Sequence, residues 1–335
     1  MRLFKGLAIT MAALLALPQA GVAAAEPVKM RVAWIVPITN IASILFEKDG
    51  IARNNGKTYQ LELVRFQGTT PMITALATNN IEIALLGFTS LPLAVSNGGM
   101  EDARIIIEEM KDGAPGYHTN EFMVLADGPI KSVADLKGQV LATNAIGSAV
   151  DIAMRAMLKK AGLDDRKDVT VIEAPFPAMK AMLMEKKVAL IPSVPPFSKD
   201  SEMRKVGRTL FTQADGAGPT QLGIWVARED FIKKNRAALV DFAEDYLRLL
   251  RFYLDPANRA EVQAIAGKAV KQPPERFDWV FTKHDYYRDP NGMLDVKALQ
   301  DSVKLQVDLG LLKSSIDVAK YSDMTLVQEA AKRIN

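Results

Sequence analysis

The chain contains no cysteine in 335 residues. This excludes disulfides, zinc–thiolate sites and a thiol nucleophile, and it suits an oxidising compartment. Histidine is nearly as scarce. His118 and His284 are the two present, far apart in sequence and without the spacing of a metal-binding set, so structural or surface roles are expected for both. No large excess of charge exists either: the formal net charge is +3, which gives no reason to expect nucleic acid or an anionic membrane as partner. Solenoid-period repeats and low-complexity tracts are absent. The short apolar run over residues 7–17 ends at Pro18, short of the roughly 20 residues that cross a bilayer.

That run has a different signature. Arg2 and Lys5 precede it and Ala23-Ala24-Ala25 follow, the charged, apolar and small-residue segments of a secretory signal peptide over 1–25, cleaved near Ala25/Glu26. Loss of Arg2 and Lys5 lowers the charge from +3 to +1. No cysteine follows the run, so a lipid-modified anchor is excluded. The expectation is an exported, periplasmic protein. About 310 residues then remain, enough for two lobes rather than one core. A content of 49% apolar and 24% charged residues is ordinary for a globular chain.

Strand-like and helix-like segments alternate through the first two thirds. A β-rich run over 30–36 stops at Pro37. A helix pattern follows over 41–48, then a strand over 60–66. In Gln67-Gly68-Thr69-Thr70-Pro71, Thr70 suits the helix N-cap and Pro71 the first helical position. A strand over 81–86 ends in Gly87-Phe88-Thr89-Ser90. A second block starts near Lys131: a short helix capped by Ser132 and closed by Gly138, a strand over 139–143, and the loop Asn144-Ala145-Ile146-Gly147-Ser148. From Ser148, apolar residues at Val150, Ala153, Met154, Met157, Leu158 and Ala161 have helical spacing. A strand over 169–172, a helix over 177–186 and a strand over 188–191 lead to Pro192-Ser193-Val194-Pro195-Pro196. Residues 222–227 again look like a strand, and the rest is mainly helical, with 230–254 as the clearest helix. Strands alternating with helices predict an α/β fold with mainly parallel sheets covered on both faces. Two such blocks, one inserted in the other, make two lobes. The expected layout is 26–125 for the first part of lobe one, 126–221 for lobe two, and 222–335 for the rest of lobe one with C-terminal helices. The two hinge crossings are expected over 121–126 and 222–227.

Three stretches resemble type II periplasmic solute-binding proteins, in the branch serving nitrate, sulfonate, taurine and thiamine-precursor importers. The first is Phe66-Gln67-Gly68-Thr69-Thr70 through Ala75-Leu76-Ala77 to Ile81-Glu82-Ile83-Ala84. The second is Ile130-Lys131-Ser132-Val133-Ala134-Asp135-Leu136-Lys137-Gly138, running on to Gly147-Ser148 and Lys160-Ala161-Gly162-Leu163. The third is Asp168-Val169-Thr170-Val171 with Pro177 and Met179. Two departures occur. Members commonly have Gly-Glu-Ile-Asp-Ile-Ala where this chain has Asn80-Ile81-Glu82-Ile83-Ala84, and Gly-Lys-Val-Asp-Ala where it has Lys186-Lys187-Val188-Ala189-Leu190, without the aspartate.

The resemblance implies a non-enzymatic, cofactor-free monomer. It would capture a small molecule by hinge closure and pass it to an ABC permease in the inner membrane. In such a fold ligands sit at the C-terminal ends of the parallel strands, beside helix N-termini. The polar turns placed there nominate Gln67, Thr69, Thr70, Thr89, Ser90, Asn144, Gly147, Ser148 and Ser193, with Trp34 and Phe88 as apolar platforms and Phe176 as a third. Helix N-termini hold anions without a basic residue, so a sulfonate, carboxylate or aromatic acid is expected. Two plainer readings stand beside this. Ser or Thr at a helix start caps the helix whether or not a ligand is near, and Trp34 also suits the core. Asp151, three residues after Ser148, would complete a cap and compete with an anion. Two rival functions have the same fold: a periplasmic sensor subunit, and a thiamine-pyrimidine pathway enzyme. The enzyme depends on a cysteine-rich motif that this chain lacks.

Overall fold

The computed structural model describes residues 26–334; the expected signal segment at 1–25 lies outside the described residues. Among the described residues, ten strands fall into two sheet systems. β1 (Val28–Trp34), β2 (Tyr59–Arg65), β3 (Ile83–Gly87), β4 (Ala103–Asp112) and β10 (Thr220–Arg228) form one sheet in the order β2-β1-β3-β10-β4. β1 runs parallel to both β2 and β3, and β10 is antiparallel to both β3 and β4. In the second system β8 (Ile191–Ser193), β5 (Glu121–Leu125) and β9 (Gly207–Thr212) pair antiparallel as β8-β5-β9. β6 (Val140–Thr143) and β7 (Thr170–Glu173) pair in parallel beside it, joined by a Leu141–Leu190 bridge. The resulting order, β7-β6-β8-β5-β9, repeats that of the first sheet.

Eleven helices flank these sheets. α1 (Thr69–Ala77), α2 (Ser90–Gly98), α3 (Ala149–Lys160), α4 (Phe176–Met184), α5 (Ser201–Val206) and α6 (Gln213–Ala217) precede β10. α7 (Glu229–Lys234), α8 (Arg236–Leu254), α9 (Arg259–Val270), α10 (Val296–Asp308) and α11 (Thr325–Ile334) follow it. β3 is buried along nearly its whole length, as a strand covered on both faces must be. One face packs Trp225, Phe242, Tyr246 and Leu326 with α8 and α11. The other packs Met72, Leu91, Leu299 and Val303 from α1, α2 and α10. The period-two rule is visible in β5. Phe122 and Val124 join α3 in one core, while Met123 joins α4 and α5 in another. Among the described residues no helix is long and apolar enough to cross a membrane.

The structure moves several expected boundaries. The expected crossings over 121–126 and 222–227 are β5 and β10, each hydrogen-bonded between two neighbours in its own sheet. The chain instead passes between the sheets over 113–120 and again through α6 and residues 218–219. Extended apolar composition does not distinguish a crossing from the central strand it leads into. The expected helix over 41–48 is one 3-10 turn, Ile41–Ser43. Gly68, not Thr70, is the N-cap of α1. The long helix over 230–254 breaks at Asn235, whose side chain bonds back to the Phe231 carbonyl. Asn235 is at φ −122°, ψ 25°, outside helical geometry.

Candidate functional site

A cavity of about 90 Å3 lies between the two sheet systems, at the ends of β1 and β3. From the first side come Ile35, Val36, Thr39 and Asn40 after β1, Thr69 at the start of α1, and Gly87 at the end of β3. Glu109 and Met110 of β4 and Leu222 and Gly223 of β10 complete that wall. From the second side come Asn144, Ser148, Val150, Phe176 and Val194. Asn120, in the first crossing, and Tyr286 close the hinge end.

The crossings are tied to each other. The Gln213 amide donates to the Asn120 carbonyl at 2.7 Å, and Asn120 Nδ2 donates to Gln213 Oε1 at 3.0 Å. Tyr286 donates its hydroxyl to Asn120 Oδ1. Asp112, at the end of β4, accepts from Thr119 Oγ1 at 2.6 Å and from the Asn120 amide at 2.7 Å. Burial pushes its carboxyl up to about 7, against those two bonds.

The cleft is closed by hydroxyls that reach across it. Thr39 Oγ1 donates to the Pro195 carbonyl at 2.6 Å, Thr70 Oγ1 to that of Ile146 at 3.2 Å, and Thr89 Oγ1 to that of Gly147 at 2.8 Å. A methyl on Gly68 would sit 2.8 Å from Ala145 Cβ, so the two walls touch there. At α3, Ser148 Oγ accepts from the Asp151 amide at 3.4 Å and donates to Asn144 Oδ1 at 2.8 Å. The Gly147 amide donates to Asp151 Oδ2 at 2.9 Å, and Arg155 Nε does so at 2.9 Å. Asp151 therefore occupies the α3 N-terminus, the competition that its spacing from Ser148 suggests. Thr69 Oγ1 and Ser90 Oγ lie 2.6 Å apart, linking the starts of α1 and α2.

The sequence candidates thus divide by place. Thr69, Asn144 and Ser148 lie on the cavity, with Phe176. Thr70, Thr89 and Gly147 form the contact between walls, and Ser90 holds Thr69. Gln67 lines a smaller recess beside Phe176 and Phe197. Three candidates lie elsewhere. Phe88 is fully buried in the core against α1 and α2. Ser193 is inside β8 and buried. Trp34 packs against the α8 side of the first sheet, under the Arg65 guanidinium 5.4 Å from its ring. Trp34 and Ser193 are strand residues, where alternation takes a side chain off the cavity face; Phe88 lies in the turn just past β3 and points into the core.

Sequence reasoning passes over Thr39, Asn40, Glu109 and Tyr286. The acid is the notable one. Glu109 is fully buried; its Oε1 accepts from the Ile41 amide at 2.8 Å and its Oε2 from Asn40 Nδ2 at 3.2 Å. Burial pushes its carboxyl up to about 7, opposed by the Arg288 charge and these bonds. The available signal was the pair Glu108-Glu109 directly after Ile105-Ile106-Ile107, two carboxylates inside an apolar strand. No lysine, arginine or histidine is among the cavity's described lining residues. Cations instead stand outside it: Arg65, Lys199 and Arg276 line a neighbouring hollow of about 410 Å3. His118 is buried edge-on against Tyr286, and burial, then Lys199 and Arg204, lower it to about 3. The cavity hydroxyls of Thr39, Thr69, Ser148 and Tyr286 bond to carbonyl, hydroxyl or amide oxygens, none to a histidine or carboxylate. Among the described residues no cluster of three or more His, Asp or Glu is arranged for a metal.

Residues 23–267, well over half of the chain, match the model of the NMT1-like family. No curated protein matches the chain. Solved structures do. The periplasmic nitrate-binding protein NrtA from Synechocystis PCC 6803 is similar with a TM-score of 0.72 at 16% identity, over 92% of this chain and 90% of that one. The alkanesulfonate-binding protein SsuA from Xanthomonas axonopodis pv. citri, bound to MOPS, gives 0.70 at 17%, over 90% and 100%. The desulfurization enzyme DSZB gives 0.66 at 12%, over 92% and 100%. At these identities the likeness is one of fold: the two-lobed α/β architecture of periplasmic binding proteins.

Proposed function

The chain belongs to the NMT1-like family, and from that premise we propose that it is the periplasmic substrate-binding component of an ABC-type importer, capturing a small polar solute by closure of two lobes. The observation that carries this reading is the cavity between two like-ordered sheets, bridged by Thr39, Thr70 and Thr89 and hinged at Asn120 and Gln213. A solute that touches both walls stabilises the closed arrangement over the open one, which shifts the population toward closure. In this reading lobe one comprises residues 26–112 and 220–334, and lobe two comprises 121–212. The chain is exported, loses residues 1–25, acts as a monomer and presents its closed form to a permease.

The nitrate- and sulfonate-binding neighbours support an organic anion as ligand, as does α1, whose N-cap Gly68 offers no side chain to its free amides. The enzymatic alternative draws on the likeness to DSZB. A chain without cysteine, with a cavity whose hydroxyls bond to no base, favours binding over catalysis.

Absence of native cysteine permits a clean test. Nitroxide labels at Thr74→Cys on α1 and Ala181→Cys on α4, both exposed, report the distance between lobes by pulsed electron paramagnetic resonance. Addition of a bacterial small-molecule extract is expected to shorten and narrow that distance. A distribution that no solute changes overturns the reading.

A further inference from the structure

The single charged side chain on the cavity wall is a carboxylate, and it keeps unused hydrogen-bonding capacity. Glu109 receives one donor on each oxygen, from Ile41 and Asn40, whereas a carboxylate offers about four lone-pair sites. Its Oε2 lies 3.0 Å from where a methyl on Gly223 would stand, so the acid rests against the backbone of β10, where the cavity reaches Gly223.

Glu109 has hydrogen-bond partners but no ion-pair contact among the described residues. One buried cation serves two acids: Arg288 is ion-paired with Asp285 Oδ2 at 2.9 Å and donates to the Thr39 carbonyl at 2.8 Å, its Nε has no hydrogen-bond partner, and it acts on Glu109 only through space. Asp285 adds a second negative charge on the same side. Tyr246 of α8 also faces the acid, and burial holds its hydroxyl proton well above the ordinary phenol range. Glu108 is on the opposite face of β4, bonded to Gln221 and the Asp289 amide. A buried carboxylate without a counterion takes up a proton or finds a cation.

We infer that the ligand of this cleft presents a protonated nitrogen, an ammonium or an amidinium, to Glu109. The inference rests on the proposed role of the cavity as a solute site. An anion beside Glu109 would meet like charge in a low-dielectric enclosure, so any anionic portion of the ligand must lie at the far end, toward α1. Because burial puts the Glu109 carboxyl at about 7 while Arg288 stays charged, a cationic ligand has to displace a proton at neutral pH. Its affinity therefore rises about tenfold per pH unit below 7 and levels off above.

Acetamidinium, acetamide and acetate are nearly equal in shape and carry charges of opposite sign or none. Each is small enough for a cavity of about 90 Å3. Calorimetry on the mature chain is expected to show binding of acetamidinium, weaker binding of acetamide, and a steep gain for acetamidinium from pH 5.5 to about 7. Glu109→Gln should reduce acetamidinium binding at least tenfold while leaving acetamide little changed. Where that variant does not fold, the pH profile of the native chain decides. No acetamidinium binding, or binding indifferent to pH and to Glu109→Gln, overturns the inference. If methanesulfonate or nitrate alone shortens the label distance, solute capture survives and the cationic anchor fails. If nothing shortens it, both fail.

Discussion

The two sheet systems share a strand order and treat charge in opposite ways. In the first, the strand beyond the antiparallel one is β4, and Glu108, Glu109 and Asp112 on it are fully buried. Its counterpart in the second system is β9, Gly207–Thr212, which holds no carboxylate. The second lobe's buried acid, Asp151, is instead paired with Arg155 on the next turn of α3. The second wall thus offers the cavity amides, hydroxyls and apolar surface, and the first offers a carboxyl that is hydrogen-bonded but makes no ion-pair contact.

The comparison can be broken or sharpened by measurement. The largest effect should come from the cores, which the two halves build alike. Trp225 is fully buried against Phe242 and Tyr246, and Phe122 stacks on Phe211 at 4.5 Å. Trp225→Ala and Phe122→Ala should each cost about 3–5 kcal/mol in urea unfolding. A cost under about 1 kcal/mol for either would deny that half a core of its own.

Next comes pH. Burial raises Glu108 to about 8 and Glu109 and Asp112 to about 7, so the folded chain holds protons that the unfolded chain releases near pH 4. Stability is then full below that range and is lost as pH rises through 7 to 8. His118, lowered to about 3, acts in the other direction: its contribution is lost as pH falls below about 6.5. Three carboxyls outweigh one imidazole. Unfolding between pH 6 and pH 8 should show a loss on the order of 2–4 kcal/mol. Glu108→Gln should flatten that slope. A flat profile would show that the acids of β4 are not burdened as their burial requires.

The contact between walls predicts a smaller effect. Gly68→Ala places a methyl against Ala145, and should shift the Thr74–Ala181 label distance outward, with the closed form about tenfold less populated, near 1.4 kcal/mol. The urea midpoint should hold. At the bottom of the scale, the exposed Lys297–Asp301 pair on α10 spans one helical turn in water. Lys297→Ala should leave the unfolding midpoint unchanged within error.

Much of the fold was legible because it rests on short-range pattern. The 3.6-residue spacing from Val150 to Ala161 gives α3 with Ser148 as its cap, and β2, β6 and β7 lie within one residue of expectation. What went unread had mixed signals. β4 starts apolar and ends in Glu-Glu-Met-Lys-Asp, so composition points away from a buried strand although Ala103–Asp112 is one. For the site, turn chemistry places Thr69, Asn144 and Ser148 on the cavity but cannot place Thr39, Asn120 or Tyr286. Those three converge from segments far apart in the chain.

Local rules acting on neighbouring residues were enough, within the sequence itself, to establish the α/β character, the absence of thiol chemistry, the cap at Ser148 and the claim of Asp151 on the same helix end. Propensity, capping and alternation all operate over a few residues. Only the tertiary structure decided that Glu109 faces a cavity without a basic residue on its wall, and that hydroxyls chosen as ligand contacts latch one wall to the other. Both depend on which distant strand lies beside β4 and how closely two lobes meet, and burial, which sets the charge of a carboxyl, exists only once the chain has closed around it.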